Sequence, residues 1–216
     1  MSTAVLVLGE SGTGKSTSMR NLDPSKTLLI QAVKKPLPFR SKEWKVRASL
    51  KSEGNVIQTD DAALIEKLLR QSPHEVVVVD DFQYVMANEY MRRTDEKGYD
   101  KFTDIGKNAW NVIKAASELA ENRRVYILSH TATDETGRTK IKTVGKMLDE
   151  KITLEGMVTI CLRTQVRDGN YTFATQNNGS DTTKSPMGMF SEQYIENDLA
   201  AVDAAICEYY ELAPTT

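Results

Sequence analysis

Short apolar runs alternate with amphipathic segments along most of this chain. The runs have the length and β-branched content of strands buried in a parallel sheet. They predict strands at Thr3–Leu8, Thr27–Ala32, Asn55–Thr59, Glu75–Asp80 and Val125–Leu128. Apolar positions at helical spacing predict a short helix over Lys15–Asn21, a helix opened by Asp60 and Asp61 that ends at Gln71, and helices over Phe82–Arg93 and Thr103–Asn122.

The remaining segments are less regular. Residues 33–50, 94–102, 131–151 and 177–190 lack a clean period and are predicted as loops. Two alternating runs, Met157–Arg163 and Tyr171–Gln176, predict a hairpin, and Asn197 or Asp198 is predicted to cap a last helix that ends near Glu211. The whole chain, residues 1–216, is therefore predicted to form one α/β domain. Its sheet is mainly parallel and flanked by helices, with antiparallel strands at one edge.

Composition narrows the class of protein. With 216 residues, of which 40% are hydrophobic and 27% charged, the chain is typical of a soluble globular domain. No stretch has the length of a membrane span, and the N-terminal residues lack a basic leader, so a cytoplasmic protein without a membrane role is predicted. Cys161 and Cys207 lie in apolar surroundings and are predicted to be reduced core residues.

Charge is unevenly distributed, although the formal net charge is only −2. Any nucleic-acid contact therefore requires a local basic patch. One basic stretch contains Lys34, Lys35, Arg40, Lys42, Lys45, Arg47 and Lys51, with Glu43 as its one acid. After Lys184 the chain has acids but no lysine or arginine. Both stretches are either binding surfaces or ordinary solvated faces.

The most specific chemistry lies between the first strand and the first helix. The sequence Gly9-Glu10-Ser11-Gly12-Thr13-Gly14-Lys15-Ser16, followed by Thr17, matches the phosphate-loop pattern G-x-x-x-x-G-K-[ST] in a strand–loop–helix context. Backbone N–H groups of such a loop surround a polyphosphate, while the lysine reaches its terminal phosphates. Residues 9–17 are therefore predicted to bind ATP, with the Ser16 hydroxyl as a ligand of Mg²⁺.

Polar residues at the ends of two later strands add to this site. Asp80 follows four valines and is predicted to hold Mg²⁺ beside the phosphate loop. Asp81 either polarises the attacking water or begins the next helix. His130 follows the strand Val125–Leu128, where it either senses the γ-phosphate or is satisfied by local hydrogen bonds.

Two polar segments are candidates for nucleic-acid contact. Arg138, Lys140, Lys142 and Lys146 follow one another without an intervening acid, and they either grip a nucleic-acid backbone or form a solvated loop. Tyr90, Tyr99 and Phe102 flank the loop at residues 94–102, where they either stack on bases or pack in the core. Lys184 either reaches a nucleotide in a neighbouring subunit or decorates the surface.

With these motifs in order, the chain resembles the phage-encoded RecA-like ATPases, in particular the Sak-type single-strand annealing and recombination proteins. The resemblance implies a RecA-like P-loop core that assembles as a ring or filament on single-stranded DNA, hydrolyses ATP and promotes annealing. It assigns residues 131–151 and Tyr90–Asp104 to DNA loops, and Lys184 to the ATP of a neighbouring copy. The resemblance is also compatible with a single-strand-binding protein as a further partner. Of the matched segments, only the phosphate loop is highly specific.

Two positions depart from the RecA pattern. Where that pattern has a glutamate after the second strand, this chain has Val33, and where it has a glutamine sensor, this chain has His130. Hydrolysis is therefore expected to be slow or to use Asp81 as the base. Two rival functions remain open: a small-molecule P-loop kinase, disfavoured because the segment 131–151 has one arginine, and an ATP-binding adaptor or loader without annealing activity.

Overall fold

The apolar runs form one sheet whose central strands are parallel. The structure is a computed structural model that describes residues 1–49, 52–145 and 147–212. The strands are β1 (Thr3–Gly9), β2 (Thr27–Gln31), β3 (Val56–Gln58), β4 (Val76–Asp80), β5 (Arg124–Thr133), β6 (Thr139–Ile141), β7 (Ile160–Arg167), β8 (Asn170–Ala174) and β9 (Tyr194–Glu196). Among the described residues their order is β3-β2-β4-β5-β1-β7-β8-β9, and β6 pairs with β5. The pairs from β3 to β7 are parallel, whereas β8 and β9 add an antiparallel edge.

Helices cover both faces of the sheet. They are α1 (Ala62–Gln71), α2 (Gln83–Arg92), α3 (Asp100–Ser117) and α4 (Leu199–Tyr209), with short 3₁₀ helices at Ser16–Asn21 and Leu154–Met157 and a π turn at Met147–Lys151. Leu6 and Leu8 of β1 face the layer formed by α1, α2 and α3. Val5 and Val7 face the opposite layer, which contains α4 and the helix Ser16–Asn21. Since β1 is buried on both faces, its sequence reads as an unbroken apolar run.

Local sequence accounts for where the helices begin and end. Asp61 caps α1 by accepting hydrogen bonds from the backbone N–H groups of Ala63 and Leu64. Asp198 caps α4 through the N–H group of Ala200. The predicted α/β class is confirmed, including the mainly parallel sheet, the flanking helices and the antiparallel edge strands.

Helix α3 lies slightly earlier in the chain than its periodicity predicts. It begins at Asp100 inside the predicted loop, because Phe102 stacks on Tyr90 of α2 with ring centroids 5.6 Å apart. It ends at Ser117, where Ser2 Oγ donates to the carbonyl of Ala116 and accepts from the N–H group of Leu119. Tertiary contacts thus set both boundaries.

The predicted loop at residues 131–151 is wrong. Strand β5 continues to Thr133 and forms a hairpin with β6, in which Thr131 pairs with Ile141. Asp134 closes the turn by accepting from the N–H groups of Thr136 and Arg138. β-branched residues and an Asx turn were the signals for this hairpin, but alternating threonine and lysine obscured them.

Strand β9 was also missed, because three residues of mixed polarity carry no usable period. The structure places it against β8, where Phe173 pairs with Ile195. This edge brings the segment before α4 close to the end of β1.

Candidate functional site

The carboxyl ends of the parallel strands meet at one side of the molecule. Gly9 at the end of β1 lies opposite His130 of β5, and Gln31 at the end of β2 lies opposite Asp80 of β4. A cleft of about 1090 Å³ opens just beyond these ends. Ligands of open α/β sheets bind in this position, outside the carboxyl ends of the strands.

The loop between β1 and the first helix depends on its glycines. Gly12 and Gly14 have positive φ angles of 79° and 93°, which side chains other than glycine rarely adopt. Gly9 is needed for another reason, because a Cβ atom there would lie 1.8 Å from Thr164 Oγ1. The Thr13 and Thr164 hydroxyl oxygens are 2.6 Å apart and tie the loop to β7. Gly12 and Gly14 line the cleft together with Ser11, Ser16 and Thr17.

The Lys15 amine is folded back onto this loop. Its Nζ donates to the carbonyl oxygens of Gly9 and Glu10 at 2.9 and 2.7 Å. Lys15 is buried, and burial lowers the pKa of its amine from 10.5 to about 8, although Asp81 and Asp80 oppose the shift. Among the described residues its hydrogen-bond acceptors are neutral carbonyl oxygens, so an anion in the cleft would stabilise the buried ammonium further.

Ser16, which lines the cleft, contacts the buried Asp80. The Ser16 hydroxyl lies 2.9 Å from both carboxylate oxygens of Asp80. Burial raises the pKa of the Asp80 carboxyl to about 6, and the neighbouring Asp81 contributes in the same direction. One carboxylate and one hydroxyl form an incomplete shell that suits Mg²⁺, which takes its remaining ligands from water and phosphate.

Asp81 is the centre of a second charged group. It is buried, with a positive φ of 62°, and its carboxylate pairs with Lys35 Nζ at 2.5 Å. His130 Nε2 lies 3.7 Å from the other carboxylate oxygen. Burial would raise the pKa of Asp81, but the neighbouring His130 and Lys35 outweigh burial and hold it below its usual range. Asp81 also lies at the start of α2, where its carbonyl oxygen accepts from the N–H group of Tyr84 at 2.8 Å, as the helix-start role predicts.

The opposite wall of the cleft contains residues that sequence reasoning missed. It is formed by the β7–β8 turn with Tyr171 and by Asn197 before α4. Asn197 is 2% exposed, and its Nδ2 has no hydrogen-bond partner among the described residues. Arg20 Nη1 donates to the Asn197 carbonyl at 2.5 Å and joins this wall to the first helix. Lys35 belongs to the basic stretch that the sequence offered as a possible binding surface, whereas no sequence pattern indicated a role for Tyr171.

The remaining predicted residues lie outside the cleft. Arg138, Lys140 and Lys142 lie on the β5–β6 hairpin, whereas Lys146 is outside the described residues. Lys184 pairs through its backbone with Cys161, which is level with Leu6 in the middle of β1 and not at the carboxyl end of the sheet. In this single chain Lys184 is therefore away from the cleft.

The hairpin is joined directly to the cleft. Strand β5 carries His130 and continues into the hairpin, and the N–H group of Lys142 donates to the His130 carbonyl at 2.8 Å. The base of the hairpin is fixed by Glu155, whose carboxylate accepts from the N–H group of Ile141 and from the Thr182 hydroxyl. His130 is thus connected to the hairpin with the basic residues both along β5 and through this hydrogen bond.

Comparison with known proteins returned no relative: no family model and no curated protein matches the chain. Within the described part of the chain, no helix has the length and apolar character needed to cross a membrane.

The same residues contain no group of three or more histidine, cysteine and acidic side chains placed to hold a metal ion. The cleft itself is therefore the basis for a function.

Proposed function

We propose that this protein binds ATP with Mg²⁺ in the cleft and uses it to assemble on single-stranded DNA. The observation that carries the nucleotide part is the hydrogen bonding between the Ser16 hydroxyl and the Asp80 carboxylate, with Oγ 2.9 Å from both carboxylate oxygens. This pair lies beside the glycine-rich loop and the buried Lys15. These groups lie at the carboxyl edge of a parallel sheet, which is where a polyphosphate would be expected. The family resemblance supplies the DNA part of the proposal.

The residues that the sequence predicted for this site have distinct roles in this proposal. The loop N–H groups and Lys15 hold the phosphates, and Ser16 and Asp80 hold Mg²⁺. When bound, Mg²⁺ neutralises phosphate charge. His130 senses the terminal phosphate, and β5 transmits its position to the hairpin.

The hairpin with Arg138, Lys140 and Lys142 is proposed to contact the DNA backbone. Its basic side chains suit phosphate contacts, which dominate affinity for nucleic acid. Several copies would assemble on one strand, with Lys184 of one copy at the nucleotide of the next and a single-strand-binding protein as a further partner. Annealing or recombination of strands in the cytoplasm is the proposed outcome, as in the RecA-like phage ATPases.

Hydrolysis is proposed to be slow. The positions after β2 hold Ala32 and Val33, so no carboxylate follows this strand immediately to orient water. Of the two acids that line the cleft in the described part of the chain, Asp81 and Glu196, Asp81 lies beside His130 and is engaged by Lys35. A protein that binds ATP tightly and turns it over slowly would act mainly as a clamp.

The test is binding of a labelled single-stranded oligonucleotide with and without Mg²⁺ and ATP, with ATP turnover measured in the same sample. We expect tighter DNA binding with ATP and turnover that DNA raises. The Lys15→Ala variant should lose both effects, while exposed Lys67→Ala on α1 serves as the control. Unchanged ATP affinity in Lys15→Ala would contradict the nucleotide site, and ATP binding that is indifferent to DNA would contradict the DNA role.

A further inference from the structure

The segment after β2 forms one wall of the cleft and carries a lysine of its own. Lys35 lies in this wall with Pro36 and Pro38. Its carbonyl accepts a hydrogen bond at 3.3 Å from Nε2 of Gln31, a buried residue at the end of β2. The proline that follows restricts the Lys35 backbone to extended conformations. The backbone of Lys35 is therefore anchored, while its side chain remains partly exposed to the cleft.

Both lysines that line the cleft are held on oxygen atoms of the protein itself. Lys15 is folded onto the carbonyls of Gly9 and Glu10, and Lys35 is paired with Asp81 at 2.5 Å. Their positive charges repel each other, since Lys35 is among the groups that lower the pKa of Lys15. A polyphosphate between them would offer each lysine more negative charge than its present partner does.

The partner of Lys35 is under strain. Asp81 is 3% exposed and has a φ of 62°, a conformation that costs a residue with a side chain free energy. Strained backbone conformations of this kind are concentrated at active sites and ligand-binding sites, where they hold a side chain in the position that its function requires. The Asp81 carboxylate is also the group that joins Lys35 to His130, which lies 3.7 Å from it.

We propose that Lys35 distinguishes a nucleoside triphosphate from a diphosphate by exchanging its ion pair with Asp81 for one with the terminal phosphate. This inference rests on the proposed nucleotide function and deepens it. Lys15 and the loop hold the phosphates that both nucleotides share. Lys35, on the facing wall, reaches the phosphate that only the triphosphate has.

The exchange has a consequence for Asp81 and His130. When Lys35 moves to the phosphate, the Asp81 carboxylate keeps His130, whose Nε2 lies 3.7 Å away, as a partner. His130 belongs to β5, whose continuation is the basic hairpin. The Lys35 exchange therefore links occupancy by a triphosphate to the hairpin that carries Arg138.

The test compares the affinities of a non-hydrolysable ATP analogue and of ADP, both with Mg²⁺. Lys35→Ala should lower affinity for the triphosphate roughly tenfold to a hundredfold, the range for a lost charged hydrogen bond, and change ADP affinity little. The control is Lys34→Ala, which removes the same charge from the adjacent exposed position outside the cleft. An equal loss for both nucleotides, or no loss for either, would overturn the proposal.

A second variant tests the exchange itself. Asp81→Asn removes the competing partner, so it should raise triphosphate affinity about threefold to tenfold, within the range of coupling between contacting residues. This gain should vanish when Lys35→Ala is combined with Asp81→Asn. The double variant also leaves no unpaired buried charge, so it remains informative if Lys35→Ala alone folds poorly. An Asp81→Asn gain that persists without Lys35 would contradict the exchange.

The wild-type protein separates failure of this inference from failure of the proposed function. If it binds neither nucleotide, the function proposed for the cleft is wrong and so is the inference built on it. If it binds both, and Lys35→Ala keeps the wild-type ratio of the two affinities, the nucleotide site stands and only the role of Lys35 is wrong.

Discussion

At the scale of single residues, the cleft combines groups whose charges are poorly compensated. Burial lowers the pKa of Lys15 to about 8 and raises the pKa of Asp80 to about 6. Both shifts disfavour the charged form that a nucleotide with Mg²⁺ requires. The bound ligand would supply the missing opposite charge at both positions.

These shifts predict a pH window for binding of ATP with Mg²⁺. Below about pH 6, protons compete with Mg²⁺ for Asp80, and above about pH 8, Lys15 must gain a proton to bind phosphate. Affinity should therefore fall on both sides, by up to about tenfold per pH unit for a single linked proton. Calorimetry at pH 8.5 (roughly half a unit above the Lys15 pKa) in buffers of different ionisation enthalpy should show proton uptake.

The alkaline side gives the decisive measurement, because the phosphates of ATP are fully ionised there. The Lys67→Ala variant should show the same uptake as wild type, since Lys67 is exposed on α1. Binding at this pH without proton uptake would show that Lys15 is not the group that titrates.

Sequence reasoning found the residues of the phosphate loop and Asp80 because each belongs to a local pattern. It did not find the pairing of Lys35 with Asp81, which joins a loop to a strand end far along the chain. Asn197 was identified only as a candidate helix cap, whereas the structure places it in the cleft wall. Contacts of this kind depend on the order of strands, which no local pattern contains.

At the scale of elements, α4 is attached to the sheet by a buried ion pair. Arg124 of β5 donates through Nε and Nη2 to Asp203 of α4 at 3.0 and 2.9 Å. The Tyr126 hydroxyl donates to the same carboxylate at 2.6 Å. Because the Arg124 side chain is only 7% exposed, its charge depends on Asp203 and on Glu75, whose carboxylate lies 3.6 Å from Nη2.

Removal of the acid should destabilise the protein. We expect Asp203→Ala to lower the free energy of unfolding by about 3 kcal/mol, since it leaves a buried guanidinium without its main partner. Asp203→Asn should lower the free energy of unfolding less, because its amide oxygen can still accept a hydrogen bond from Arg124 or Tyr126. Denaturant titration measures both, with Glu208→Ala at an exposed position of α4 as the control. Equal stabilities of Asp203→Ala and Glu208→Ala would show that the pair contributes nothing.

The β5–β6 hairpin is the element proposed to contact DNA. Arg138 and Lys142 are exposed on it, so changing both to glutamine should weaken single-strand binding. The slope of log affinity against log salt should become shallower by about 1.4, for two phosphate contacts on single-stranded DNA. The double variant of Lys67 and Lys107, exposed on α1 and α3, removes equal charge elsewhere. If the slope of log affinity against log salt equals that of the control, the hairpin does not contact the DNA backbone and the proposed DNA site is wrong.

The buried strands β1 and β4 were predicted to within about one residue, because almost their whole length is apolar, whereas β5 and α3 were predicted with ends several residues away from the observed ones. The hairpin and β9 were not predicted, because their residues alternate weakly and their pairing partners decide their conformation. Register with a neighbouring strand is a tertiary property.

At the scale of the whole molecule, the class of sheet could be predicted but the order of its strands could not. Apolar runs alternating with helices indicate a parallel sheet, since parallel strands need long crossovers. Which strands become neighbours depends on packing across distant segments, such as Val5 of β1 beside Tyr126 of β5. The position of Lys184, level with the middle of β1, follows from this order as well.

A mixing experiment tests whether Lys184 acts on the nucleotide of a neighbouring copy. Lys15→Ala and Lys184→Ala should each turn over little ATP alone. An equal mixture should recover roughly a quarter of wild-type turnover, because a head-to-tail interface then joins an intact cleft to an intact Lys184 in a quarter of cases.

The matched control replaces the Lys15→Ala partner by a chain that carries both substitutions. That mixture contains no intact Lys184 and should recover nothing. If the variants still assemble on DNA and neither mixture recovers ATP turnover, Lys184 does not act on the nucleotide of a neighbouring copy.

The central place of β1 has a consequence for synthesis of the protein. The ribosome releases β1 early, yet its two neighbours, β5 and β7, begin only at Arg124 and Ile160. The nascent chain must therefore hold an apolar strand unpaired until β5 and β7 have emerged, a situation that favours chaperone binding. A fragment truncated before Ile160 would carry the whole phosphate-loop sequence but not Thr164, against which Gly9 and Thr13 pack.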